Sequence, residues 1–367
     1  LEEPARAEFF DALAEQFSAD AESSVAAAEA YRDAPSPKTL ARLQRVTESP
    51  RQELFRRLNT VPGATSKLVR LRSHVLQGLP QHPHWEPIAD DLAHLFRSWF
   101  NPGFLTLQRI DWTSPATVLE KLIQYEAVHA IQGFPDLRRR LEADRRCYAF
   151  FHPAMPYEPI IFVEIALTRG ISAKIHPLLD CSAPVLDPAT ANTAMFYSIT
   201  NCHDGLRGIP LGSFLIKQVV DDLEKHLPRV HKFSTLSPVP GFAAWVRKQP
   251  AFERVAPLLE SWDWVTDPTK GAKLERLLLP QCARYFLQAK KGREPLDPVA
   301  RFHLRNGAQL ERINWLADVS ETGLTNALGL MVNYVYRPQR IEENHELYTK
   351  KYEIAATTAI ESLARKA

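Results

Sequence analysis

Three segments of this chain set chemically capable side chains beside stiff or glycine-bearing backbone. The first is Tyr197-Ser-Ile-Thr-Asn-Cys-His-Asp-Gly-Leu-Arg-Gly-Ile-Pro-Leu-Gly212. It runs from an apolar strand pattern into a long amphipathic helix pattern. At such a junction, orphan backbone N–H groups and the helix dipole favour a phosphate or pyrophosphate. Gly205, Gly208 and Gly212 would permit close backbone approach. The spacing is neither GxGxxG nor GxxxxGK followed by Ser or Thr, which weakens the dinucleotide and nucleoside-triphosphate readings. An ordinary glycine-containing strand–helix turn is the competing reading.

The second segment is Phe233-Ser-Thr-Leu-Ser-Pro-Val-Pro-Gly-Phe242. Ser237 sits where a strand pattern gives way to a stiff Pro-Val-Pro turn, so backbone geometry would aim its hydroxyl. It lies outside any Gly-x-Ser-x-Gly elbow, which disfavours a hydrolase nucleophile, and a Ser that merely caps a turn before Pro238 remains open. The third segment begins at Asp297-Pro298, a helix start, and carries His303 and Asn306. A His there can act as a general acid or base near neutral pH, although a lone His is more often a hydrogen-bonded packing residue and spacing shows no partner for it. The pair His82-Pro-His84 shows no third ligand by spacing and reads as a surface turn, so no metal site is expected.

The elements that must hold these residues fall into two parts. With 367 residues the chain exceeds what one compact core fills, so two domains of unequal size are expected. Residues 1–131 read as helices throughout, including one over 5–31 and one opening at Ser114-Pro115, with Ser114 as its cap. Residues 132–367 read as mixed α and β. Strands are expected over 146–152, 159–167, 194–200, 230–235 and 328–336, and helices over 211–227, 251–262, 270–290 and 343–367. Hydrophobic residues make up 45%, and 45 Lys+Arg oppose 43 Asp+Glu. That balance excludes a disordered tail or a collagen-like fibre, and it makes nucleic acid an unexpected partner.

Cys147, Cys181, Cys202 and Cys282 are dispersed, with no CxxC, which suits a reducing compartment. The opening Leu-Glu-Glu-Pro reads as neither a secretory signal nor an Arg-rich transit peptide, and the closing Ala-Arg-Lys-Ala is no peroxisomal address. The apolar run at 160–163 is cut by Glu164 and is too short for a bilayer. A cytoplasmic location is therefore expected, with no membrane partner.

Arg207-Gly208-Ile209-Pro210-Leu211-Gly212 is similar to the Arg/Gln-x-x-Gly-x-Gly/Ala pyrophosphate loop of coenzyme A-binding acetyltransferase folds, except that Pro210 lacks an N–H. Longer runs resemble the malonyl-CoA decarboxylase family, in that family's order. They are Phe196-Tyr-Ser-Ile, Gly212-Ser-Phe-Leu-Ile-Lys217, Leu236-Ser-Pro-Val-Pro-Gly-Phe242, Phe302-His-Leu-Arg-Asn-Gly-Ala308 and Arg312-Ile-Asn-Trp-Leu-Ala-Asp-Val-Ser320. Ile110-Asp-Trp-Thr-Ser-Pro and Tyr125-Glu-Ala-Val-His129 extend the likeness into the helical part.

The resemblance implies a helical N-terminal domain used in self-association, as a dimer or tetramer, and an acetyltransferase-like catalytic domain. It implies conversion of malonyl-CoA to acetyl-CoA and CO2 without metal, biotin or another prosthetic group. The family's catalytic Ser falls on Ser237, its catalytic His on His303 and an active-site Tyr on Tyr336. Its CoA-binding loop falls on Arg207, Gly208, Ile209, Pro210, Leu211, Gly212 and Ser213. Animal members carry a Glu where this chain has Pro210, so no role of that Glu transfers. They also carry a cysteine linked to subunit cross-linking near Cys147, for which a buried reduced thiol is the plainer expectation here.

Malonyl-CoA holds its own electron sink in the thioester. The protein must grip the CoA handle, turn the carboxylate out of the thioester plane, stabilise the enolate oxygen and protonate carbon. In this reading Ser237 orients the substrate, His303 supplies the proton, and Tyr336 donates to the oxyanion or shapes the pocket. A CoA-dependent N-acetyltransferase and a catalytically silent acyl-CoA-binding scaffold are the alternatives.

Overall fold

The computed structural model describes residues 3–209 and 211–366. The chain divides into two compact units, one made of Leu1–Thr106, Phe150–Ile161 and Asn201–Leu211, the other of Leu107–Ala149, Phe162–Thr200 and Gly212–Ala367. Among the described residues, no helix is long and apolar enough to cross a membrane.

The first unit contains the helices Glu3–Gln16, Ala21–Asp33, Pro37–Thr47, Pro50–Leu58, Ala64–Gly78 and Glu86–Trp99. The single helix expected over 5–31 is two. Asp20 interrupts it because its carboxylate accepts the Ser23 N–H at 2.8 Å and caps a new start. Ser36 and Thr39 close a reciprocal cap on the next helix. Ile88, Leu92 and Phe96, four residues apart, are fully buried along one helix face.

Among the described residues the strands are β1 (Thr106–Ile110), β2 (Arg145–His152), β3 (Met155–Thr168), β4 (Thr193–Asn201), β5 (Lys232–Thr235), β6 (Ser237–Pro238), β7 (Lys290–Lys291), β8 (Glu294–Pro295), β9 (Gln309–Asn314) and β10 (Met331–Tyr336). Eight form one sheet in the order β1-β2-β3-β4-β5-β10-β6, with β9 on β10. β4 and β5 run parallel, and the helix Gly212–His226 joins them as the crossover that parallel pairing requires. β10 is antiparallel to β5, β6 and β9. The result is the mixed α/β sheet expected of an acetyltransferase-like domain. Ala166, Met195, Tyr197, Leu236 and Met331, from three of these strands and the link before β6, share one buried cluster.

Several expectations are corrected. β1 lies in a stretch read as wholly helical. Thr-Leu-Gln-Arg-Ile has weak periodicity and becomes a strand by pairing with β2. The helix after it starts at Ala116 with Pro115 as its cap, because Ser114 Oγ is occupied by the Asp111 N–H at 3.1 Å. Residues 250–265 form short 3-10 turns rather than one helix. Gln-Leu-Glu-Arg-Ile-Asn, for which no strand is expected, becomes β9 by pairing with β10. The closing helix expected over 343–367 is broken: Ile341–Glu346 runs into a π turn, and Thr358–Ala364 follows separately. Between them the chain lies along β9, where the Leu310 N–H reaches Ala355 O at 2.8 Å and the Thr357 N–H reaches Leu310 O at 3.0 Å. That contact covers a strand edge otherwise left open.

A buried polar network sits within the second unit. Arg140 donates to Asp136 Oδ1 at 2.9 Å, Glu164 Oε2 at 2.7 Å and His129 O at 2.8 Å. Glu126 accepts from Ser198 Oγ at 2.7 Å and Thr200 Oγ1 at 3.2 Å. Cys147 is 1% exposed and forms no disulfide within the chain. Truncating Arg140 strands two acidic partners away from water. Arg140→Ala should therefore cost about 3–5 kcal/mol in urea unfolding, far more than an exposed Arg would.

Candidate active site

β5 and β6 form one extended run against β10, with Phe233 opposite Tyr336, Ser234 opposite Val335 and Ser237 opposite Val332. The two-residue period of a strand places Thr235 and Ser237 on one face, and Tyr334 and Tyr336 on one face of β10. The third contributor is the helix Pro298–Arg305. Asp297 caps it by accepting the Ala300 N–H at 2.8 Å, and Pro298 fits its first turn. Burial pushes the Asp297 carboxyl up to about 6, against the lowering effect of its bonds from Ala300 N–H and the Tyr285 phenol. His303, in the last turn, is carried in toward the strands.

The three side chains meet as a row. His303 Nε2 lies 3.0 Å from Ser237 Oγ, and His303 Nδ1 lies 2.8 Å from the Tyr336 hydroxyl. Ser237, His303 and Tyr336 are all buried. The imidazole stacks on Tyr334, with centroids 4.5 Å apart and planes 27° apart. Burial pulls the His303 pKa down to about 3 and pushes the Tyr336 phenol well above its ordinary value. The row is therefore neutral at physiological pH. A cleft of about 290 Å³ opens beside it, lined by Tyr336, Asn306, Ile216 and Lys217 among others.

The loop carrying Arg207 belongs to the first unit. Buried Arg72 on the helix Ala64–Gly78 clamps it, donating to Gly205 O at 2.7 Å and Arg207 O at 2.9 Å. Gly205 packs so closely that a Cβ there would sit 1.8 Å from Val69 O. Gly208 adopts φ +82°, a left-handed conformation that glycine tolerates. The Arg207 guanidinium bonds Asp204 at 2.8 Å on the surface, and Ile209 is buried. The N–H groups of Arg207, Ile209 and Leu211 each bond a carbonyl within the loop. Pro210 lies outside the described residues, as do the side chains at 212–214, Ser213 among them.

The His82-Pro-His84 turn does gain a third neighbour that spacing could not show. Asp11 lies 2.7 Å from His84 Nε2 and also accepts the Trp85 indole N–H at 2.7 Å. The three potential ligand atoms lie within 4.8 Å of one another. These bonds tie the first helix to the turn, with His82 stacked flat on Trp85 at 4.0 Å.

Thr235, Tyr334 and Arg72 are the neighbours that sequence reading passed over. Alternation along Thr235-Leu-Ser237 and Tyr334-Val-Tyr336 could have flagged the first two. Nothing local marks Arg72, whose partners in the loop lie 133 and 135 residues away.

The malonyl-CoA decarboxylase C-terminal domain profile matches residues 103–367, and the N-terminal domain profile matches residues 17–100. The chain belongs to the malonyl-CoA decarboxylase family. The mitochondrial malonyl-CoA decarboxylase of Anser anser anser is 36% identical over 341 residues, covering 84% of this chain and 68% of that protein. The Rhodopseudomonas palustris malonyl-CoA decarboxylase structure superposes with a TM-score of 0.93 at 47% identity, covering 99% of this chain and 91% of that one. The Agrobacterium vitis structure gives 0.92 at 48% identity, covering 98% and 90%. Membership in this decarboxylase family makes the chain an enzyme.

The buried imidazole carries a stability signature. Its folded pKa of about 3 lies below the ordinary 6.5. Its contribution is therefore fully present above 6.5 and is lost as pH falls toward 3. Urea midpoints at about pH 7.5 and about pH 5 should differ less in His303→Asn than in the wild type, because Asn has nothing to titrate.

Proposed function

We propose that the protein decarboxylates malonyl-CoA to acetyl-CoA and CO2 through Ser237, His303 and Tyr336. The supporting observation is the neutral, water-shielded row Ser237–His303–Tyr336 beside an open cleft. Loss of CO2 leaves its electron pair in the thioester as an enolate, and this enzyme's task is to form that enolate and protonate its carbon. A buried, neutral environment favours departure of a carboxylate that water would otherwise stabilise.

Ser237 orients the substrate by hydrogen bonding, since an unactivated hydroxyl is a poor base. His303 supplies the proton. A neutral imidazole releases its one N–H readily only as its other nitrogen gains a proton. The Tyr336 hydroxyl, 2.8 Å from Nδ1, is placed to provide it. The loop at residues 207–213 binds the CoA phosphates. With the N–H groups at 207, 209 and 211 already used inside the loop, the donors fall to the backbone opening the helix Gly212–His226. Binding energy from this remote handle holds the malonyl group in its reactive conformation. Self-association runs through the helical part of the chain.

Incubation with malonyl-CoA and no acceptor should release CO2; no release would favour an acetyltransferase or a silent binder. Ser237→Ala and His303→Asn should each lower kcat by roughly 10²-fold or more while CoA still binds. A folded variant decarboxylating at the wild-type rate would remove that residue from the mechanism. Gly205→Ala should instead raise KM, since its methyl pushes the loop off Val69 O, and kcat should change less.

A further inference from the structure

We propose that Thr235 is a positioning residue: it accepts the Ser237 hydroxyl proton and thereby holds His303 in the tautomer protonated on Nε2. The proposal rests on the decarboxylase reading for its kinetic consequence, but its geometry stands apart from any substrate.

Ser237 Oγ has two neighbours and one proton. It donates that proton to Thr235 Oγ1 at 2.8 Å. At the 3.0 Å contact with His303 Nε2 it must then accept, so the imidazole proton sits on Nε2. The ring is neutral because burial disfavours its charged form. Nδ1 is therefore bare and accepts the Tyr336 O–H at 2.8 Å. One direction runs through the whole row: Tyr336 donates to His303, His303 to Ser237, and Ser237 to Thr235.

Thr235 is itself immobilised. Its Oγ1 also accepts the Tyr334 N–H at 3.1 Å, and its carbonyl accepts from Asn333 Nδ2 at 2.7 Å. At 1% exposure, no bulk water competes for the Ser237 proton. Had the Ser237 proton pointed at Nε2 instead, His303 would act as a base on the hydroxyl. That is the arrangement of an acyl-transfer nucleophile, which decarboxylation does not require. Thr235 thus selects proton donation toward the substrate over nucleophilic attack on the thioester. During turnover the enolate carbon takes the His303 Nε2 proton while Nδ1 takes the Tyr336 proton. Water admitted as product leaves then returns a proton to Nε2 while Nδ1 hands its own back to the phenolate, which restores the resting tautomer.

The test is the protonation site of His303 in the resting enzyme. It is read by two-bond ¹H–¹⁵N correlation on ¹⁵N-histidine-labelled protein, with His303→Asn assigning the signal. Wild type should show Nε2–H. Thr235→Val, which keeps the branched shape and loses the oxygen, should move the proton to Nδ1. It should also lower kcat at least about tenfold with little change in KM, and Thr235→Ser should restore both. Nδ1–H in the wild type would overturn the proposal whatever becomes of the variants. So would a folded Thr235→Val with wild-type kcat and an unmoved Nε2–H signal. Absence of decarboxylation by the wild type would instead strike the proposed function and leave the tautomer to be judged on its own.

Discussion

The site depends on keeping one imidazole neutral in a place water does not reach. An isolated His in the interior is costly unless both ring nitrogens find partners. Here Ser237 and Tyr336 take one nitrogen each, from two strands that are neighbours in the sheet. Helix Pro298–Arg305 must end at the right height to insert the ring between them, and its cap, Asp297, is fully buried. Moving any of these three supports leaves a buried nitrogen or hydroxyl without a partner, so geometry and stability are coupled.

The sheet that carries the row has polar chemistry of its own. Arg140, Asp136 and Glu164 form a shielded ion network, and Glu126 gathers two hydroxyls from β4. Such groups are expensive to desolvate, and their net contribution to stability is small compared with the cost of breaking them. Their effect is to oppose sliding: a one-residue shift of β3 or β4 would turn Glu164 or Ser198 to the opposite face, away from its partners. In the first unit, Arg72 does similar work for the loop, using a guanidinium to satisfy two backbone carbonyls that no regular element pairs.

Much of the fold was legible because periodicity is local. The burial of Leu215, Val219 and Leu223 follows the four-residue spacing of the helix Gly212–His226, and the aromatic run of β2 became a buried strand. Elements whose form is set by a neighbour were not legible. β1 carries little alternation and exists through its pairing with β2, and the segment around Ala356 leaves its helical pattern to cover the edge of β9. Asp20 split a helix because a short carboxylate competes for the backbone, an effect that hydrophobic periodicity does not record.

At the site, sequence determined residue types and local stiffness: Ser237 before Pro-Val-Pro, His303 on a capped helix, Tyr336 near a strand end, and a glycine-bearing turn at 205–212. It also carried the family likeness, since long ordered runs survive changes elsewhere. Only the tertiary structure brought Ser237, His303 and Tyr336, spread over 100 residues, within hydrogen-bond reach, set Thr235 behind the serine and tied Arg72 to the loop. The physical reason is that a hydrogen bond is decided by distance and direction in space. The chain encodes those through strand register and helix placement, which depend on every packed neighbour at once.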